Sequence, residues 1–93
     1  MYLAEGMLAT ARGNWLEAAE AFAKALEAER TCGFLYNEAR VLFEWDEMYL
    51  ERGGSGDREK GMELLDQALA IYQRCAAKKG VENVLARKEL LKA

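Results

Sequence analysis

The chain has no histidine, no proline and only two cysteines, and it contains no apolar run of the 18 or more residues that a membrane helix needs. The missing histidine removes the commonest general base and the commonest metal ligand. Hydroxyls are also scarce: Thr10, Thr31 and Ser55 stand beside four tyrosines. Ser55 lies in a glycine turn with no base near it in sequence, so nucleophilic catalysis has no constellation to run on. Basic charge is not in excess either. Thirteen Lys and Arg face sixteen Asp and Glu, for a net charge of −3. Nucleic-acid binding needs a basic face to neutralise phosphates, so no nucleic acid and no membrane are expected as partners. The opening Met-Tyr-Leu-Ala-Glu-Gly lacks the basic and apolar regions of a signal peptide, and a cytoplasmic location is the expectation. Cys32 and Cys75 fall at the ends of expected helices. With no CxxC spacing they read as reduced thiols packed like small apolar groups.

What is present is helix-forming. Ala, Leu, Glu, Lys and Arg dominate, apolar residues make up 52% of the chain, and no stretch alternates as a half-buried strand would. The spacing predicts five helices in one domain, over residues 2–12, 14–30, 34–52, 57–78 and 81–91. Asn14 is the expected cap of the second helix, with Glu17 reaching back, and Asp57 the cap of the fourth. Lys78, Lys79 and Gly80 read as the end of the fourth helix, where cations suit the dipole and glycine suits a left-handed residue. Short connections between long helices predict antiparallel neighbours.

The third helix organises the rest. Arg40, Glu44, Glu47 and Glu51 fall on one stripe, and nearly all its other residues are apolar. Such a helix needs neighbours on two or three sides. Glu38 and Asp46 lie on its apolar side and need partners, with Arg12, Arg58 or Arg87 as candidates. Trp15, Trp45, Tyr36, Tyr49 and Tyr72 recur at helical spacing and are expected in the core. The segment from Glu38 to Glu59 carries −4, and the segment from Lys78 to Lys92 carries +3. The chain also repeats itself at an offset of 43 residues: Gly13 falls on Gly56, Ala25-Leu26 on Ala68-Leu69, and Cys32 on Cys75.

These residues resemble the tetratricopeptide repeat. Tyr2 matches its first aromatic position, Gly6 the small position of helix A and Gly13 the turn. Ala18, Phe22 and Ala25 match the small-large-small triplet of helix B. In the second copy Tyr36 follows Tyr2 by 34 residues, and Gly61, Leu65 and Ala68 supply the triplet. That copy departs from the pattern: three residues are inserted before Gly56, Asp46 stands where Gly6 stood, and the proline after helix B is missing from both. The resemblance implies an all-α, antiparallel helix-pair α-solenoid of about five helices. Repeat 1 would cover about 1–32, an extended repeat 2 about 34–79, and a C-terminal helix about 81–92. The lengthened, uneven pairs are similar, more loosely, to arrays at the C-terminal end of bacterial signalling ATPases, including relatives of the maltose-regulon activator and of ATPase-linked cyclases. On that likeness the chain is expected to be a cut or stand-alone piece of a signalling or regulatory protein.

The function implied is protein-protein interaction, not enzymatic, with no cofactor and no metal. The concave face implied by the family would present Leu3, Met7 and Thr10 from the first helix and Arg40, Glu44, Glu47 and Met48 from the third. Some members clamp a carboxylate with Lys, Asn and Arg. Leu3 and Met7 stand at two of those positions and Glu44 or Glu38 at another, so acidic C-terminal tails are not the expected ligand. A mixed apolar and acidic groove suits an amphipathic, partly basic segment. The alternative is a homodimer formed through solenoid ends that lack polar caps.

Overall fold

The computed structural model describes residues 1–92. Five helices, α1 (Tyr2–Ala11), α2 (Trp15–Cys32), α3 (Leu35–Arg52), α4 (Asp57–Arg74) and α5 (Lys78–Lys92), carry nearly all of them, and no strand occurs among the described residues. Each helix packs on the next in sequence, and α1 also reaches α3. The slab measures 34 × 33 × 17 Å, a thickness of about two packed helices.

The core follows the triplets. Ala18, Phe22 and Ala25 of α2 and Gly61, Leu65 and Ala68 of α4 are buried, facing Ala39, Val41, Leu42 and Met48 of α3. A Cβ on Gly6 would lie 2.9 Å from Cδ1 of Phe22, so α1 approaches the ring as closely as a glycine allows. The second pair inverts the arrangement. There the glycine is Gly61 on α4, and the group it admits is the Asp46 carboxylate of α3. Sequence comparison of Gly6 with Asp46 could not show that the small partner had moved to the opposite helix.

Helix ends differ from the sequence expectation in four places. Asn14 is the N-cap residue of α2, but its side chain makes no capping hydrogen bond. The α2–α3 connection is shorter than expected, because α2 continues through Cys32 and Gly33 closes it in the left-handed region at φ 76°. Asp57 is the first residue of α4, and Gly56 is its N-cap. Lys78, Lys79 and Gly80 do not end α4; they open α5. α4 ends at Arg74, and Ala76 takes the left-handed position at φ 54°, an uncommon place for a residue with a Cβ. Gly80 is committed elsewhere. A Cβ there would stand 2.6 Å from Cε1 of Tyr72, so glycine is consumed by the α4–α5 crossing and alanine carries the turn. Cys75 is therefore outside the helix and exposed; Cys32, the last residue of α2, is exposed too, so neither thiol packs as a core group.

α5 turns a different face inward than expected. Val84 and Leu91 are buried, but Leu85 is 49% exposed and Tyr36 on α3 is likewise exposed. Arg87 and Lys88 are half-buried instead, and both are paired.

The α3–α4 turn rests on Asp57. Its carboxylate accepts from Arg52 Nε at 2.8 Å, from Arg52 Nη2 at 2.6 Å and from the Gly54 N–H at 2.8 Å. The guanidinium first, and the Gly54 amide after it, hold this acid down at about 2. A depressed carboxylate stabilises the fold above its unfolded value of about 3.9, and that contribution is lost as pH falls towards its folded value. An acid titration followed by amide exchange is expected to show the first turn of α4 opening between about pH 4 and pH 2. The variant Asp57→Asn should lose that step, and an unchanged profile would overturn the assignment.

Candidate functional site

Two clefts lie along the α1–α3 seam, both with α2 beneath them. The first, of about 540 Å³, is bounded by Met7, Thr10 and Ala11 of α1 and by Glu44, Glu47 and Glu51 of α3, with Phe22 at its base. Its floor is apolar and one rim is acidic. Helical spacing explains the rim: residues 44, 47 and 51 recur every three or four positions and project together. Glu47 is engaged with Arg87 Nη2 at 3.2 Å, whereas Glu44 and Glu51 make no ion pair among the described residues. The second cleft, of about 630 Å³, joins the beginnings of α1 and α3 to the end of α2 through Leu3, Ala28, Glu29, Asn37, Arg40 and Val41.

The seven residues expected to share one concave face are thus divided. Met7, Thr10, Glu44 and Glu47 line the first cleft, and Leu3 and Arg40 line the second. Met48 belongs to neither; it is 1% exposed and packs in the core. The residue after Glu47 is turned about 100° around α3 and joins the core cluster, which the helical wheel allows and the repeat alignment obscured. Thr10 reaches the cleft but does not offer its hydroxyl to a ligand, because Oγ1 donates to the Gly6 carbonyl at 2.8 Å. Glu51, on the same polar stripe but outside the seven expected residues, also lines the first cleft. Ala11, Phe22 and Glu29 carried no sequence signal as lining residues.

Both acids on the apolar side of α3 are paired, Asp46 buried and Glu38 half-buried. Asp46 is fully buried and accepts from Arg87 Nη1 at 2.9 Å, one of the three expected arginines. The same guanidinium covers the Phe43 ring at 4.2 Å, so α5 is fastened to α3 by one side chain at three points. Burial raises the Asp46 carboxyl above its ordinary value, and Arg87 pulls it part of the way back. Its Oδ1 has no partner. Glu38 pairs with Arg30 at 3.0 Å, and not with Arg12, Arg58 or Arg87. Arg30 became available because α2 runs longer than expected, which brings its last turn beside the start of α3. Trp45 stacks on Phe22 with centroids 6.0 Å apart.

Among the described residues no group of three or more Cys, Asp or Glu side chains is placed to hold a metal ion. No described helix is long and apolar enough to cross a membrane. Large apolar residues are exposed on both terminal helices, Leu8 at 52% on α1 and Leu90 at 72% on α5. In comparisons with family models, with curated proteins and with solved structures, nothing matches this chain.

Proposed function

We propose that the chain is a protein-protein interaction module, an antiparallel helix-pair solenoid of the tetratricopeptide kind. Its groove takes an amphipathic, partly basic segment of a partner. The observation that carries the reading is the first cleft: an apolar floor of Met7, Ala11 and Phe22 beside Glu44 and Glu51, two carboxylates that make no ion pair among the described residues. An amphipathic helix laid there buries its apolar stripe on the floor and sets Lys or Arg against the rim. The sequential packing of the helices, the two-helix thickness and the glycine-mediated crossings at Gly6 and Gly61 support the solenoid reading. A place in a bacterial signalling or regulatory protein of the cytoplasm remains part of the proposal, and the reading assigns binding, not catalysis.

The test is a fluorescence anisotropy titration with a labelled amphipathic peptide bearing Lys on one face. Binding is expected in the micromolar range, weakening with salt, and Glu44→Lys with Glu51→Lys is expected to weaken it by about tenfold or more. Equal binding by an acidic peptide of the same apolar pattern would overturn the reading.

The exposed Leu8 and Leu90 favour a second reading, self-association through the ends of the series. Light scattering behind a sizing column would then give twice the 10.5 kDa chain mass at high concentration, and Leu90→Glu would return it to the monomer mass. A monomer mass at every concentration would reject it.

A further inference from the structure

The second cleft carries a feature that the first does not. One carboxylate oxygen of Glu29, Oε2, is buried without a hydrogen-bond partner. An unsatisfied buried oxygen on an acid is costly, and a donor supplied from outside would relieve it. Across the cleft stand two α3 groups with free polar capacity. Among the described residues the Asn37 side chain makes no hydrogen bond, and the Arg40 guanidinium makes neither a hydrogen bond nor an ion pair, although its charge is felt at the Tyr72 phenol. Between these polar groups the walls are Met1, Tyr2, Leu3, Ala25, Ala28 and Val41.

This arrangement selects against simple ligands. A plain cation would meet Glu29 but be repelled by Arg40, and a plain anion the reverse. A ligand with a positive donor, an oxygen acceptor a few bonds away and an apolar side chain between them satisfies all three. The volume of about 630 Å³ suits a ligand of several residues better than one small molecule of amino-acid size.

We propose that this cleft captures the free N-terminus of a peptide whose first residue is apolar. The α-ammonium donates to Glu29, the first carbonyls accept from Asn37 and Arg40, and the first side chain lies on Leu3, Ala28 and Val41. The site is separate from the acidic groove and does not depend on what that groove binds.

The test is a ¹H–¹⁵N correlation titration of the whole chain with three probes: a tetrapeptide headed by leucine, the same tetrapeptide N-acetylated, and free leucine. The unacetylated peptide is expected to shift the amides of Leu3, Ala25, Ala28 and Val41 and the Asn37 side-chain amide, with saturation below about 10 mM. Acetylation removes the charged donor and is expected to weaken binding by about tenfold or more. Glu29→Gln is expected to erase the difference between the two peptides while leaving the correlation spectrum folded. Equal binding by the acetylated peptide would overturn the proposal on the native chain alone, whatever the variant does. Absence of shifts at these amides would overturn it as well. Free leucine binding as tightly as the peptide would overturn the assignment of the occupant.

Discussion

Phe22→Ala is expected to lower the unfolding free energy by about 3–5 kcal/mol, measured by urea denaturation at neutral pH. Phe22 is fully buried, lies against Gly6 of α1 and stacks on Trp45 of α3. One ring therefore joins three helices. Truncation removes its transfer free energy and leaves a hollow that the backbone cannot close, because α1 already approaches at glycine distance. For a domain whose whole margin is about 5–15 kcal/mol, this is a large share, and the melting temperature should fall by more than about 12 °C. The floor of the acidic cleft would be lost with it, so peptide binding should weaken in parallel. A loss below about 1 kcal/mol would mean that the ring is not the joint described.

The second large effect is expected from Arg87→Met. It would leave the Asp46 carboxylate buried with no partner, a situation that costs about 3–5 kcal/mol. The loss carries a pH signature. Asp46 is already raised by burial, and removing Arg87 removes what pulls it down. A group raised in the folded state takes its proton there first, so falling pH favours the folded variant. The deficit against wild type should be largest at pH 7 and above and should shrink as the pH approaches the unfolded carboxylate value. Adding Asp46→Asn removes the stranded charge while keeping the shape that fits against Gly61. It should restore about half or more of the loss, a coupling readable in a double-mutant cycle. A deficit independent of pH, with no recovery in the double variant, would show that Arg87 acts by packing over Phe43 alone.

Much of the architecture was legible because it is written in helical periodicity. The apolar faces of residues 18–25 and 61–68 and the polar stripe of α3 each recur within a few turns, and local spacing decides them. What was not legible depended on pairs of distant residues competing for one role. Gly80 fits a helix terminator as well as it fits a close crossing. Only the position of Tyr72 decides, and the turn is then left to Ala76. Arg30 was invisible as a partner of Glu38 until the last turn of α2 was placed beside α3. The candidate site was half legible. Met7, Glu44 and Glu47 meet as expected, but Met48 is drawn into the core and Leu3 and Arg40 into a separate cleft. Residue type could not reveal the orphaned oxygen of Glu29, which is a property of the surrounding packing.

The order in which the helices touch has a kinetic consequence. Because each helix rests mainly on its sequence neighbour, most contacts close short loops, and helical chains with such low contact order fold in about microseconds to milliseconds. The Arg87–Asp46 bond, which joins α5 to α3, is among the longest-range contacts, spanning 41 residues. Nothing local rewards its formation until α4 is in place, so it belongs after the barrier. Arg87→Met should accordingly speed unfolding and leave refolding almost unchanged, whereas Phe22→Ala, at the joint of the first three helices, should slow refolding.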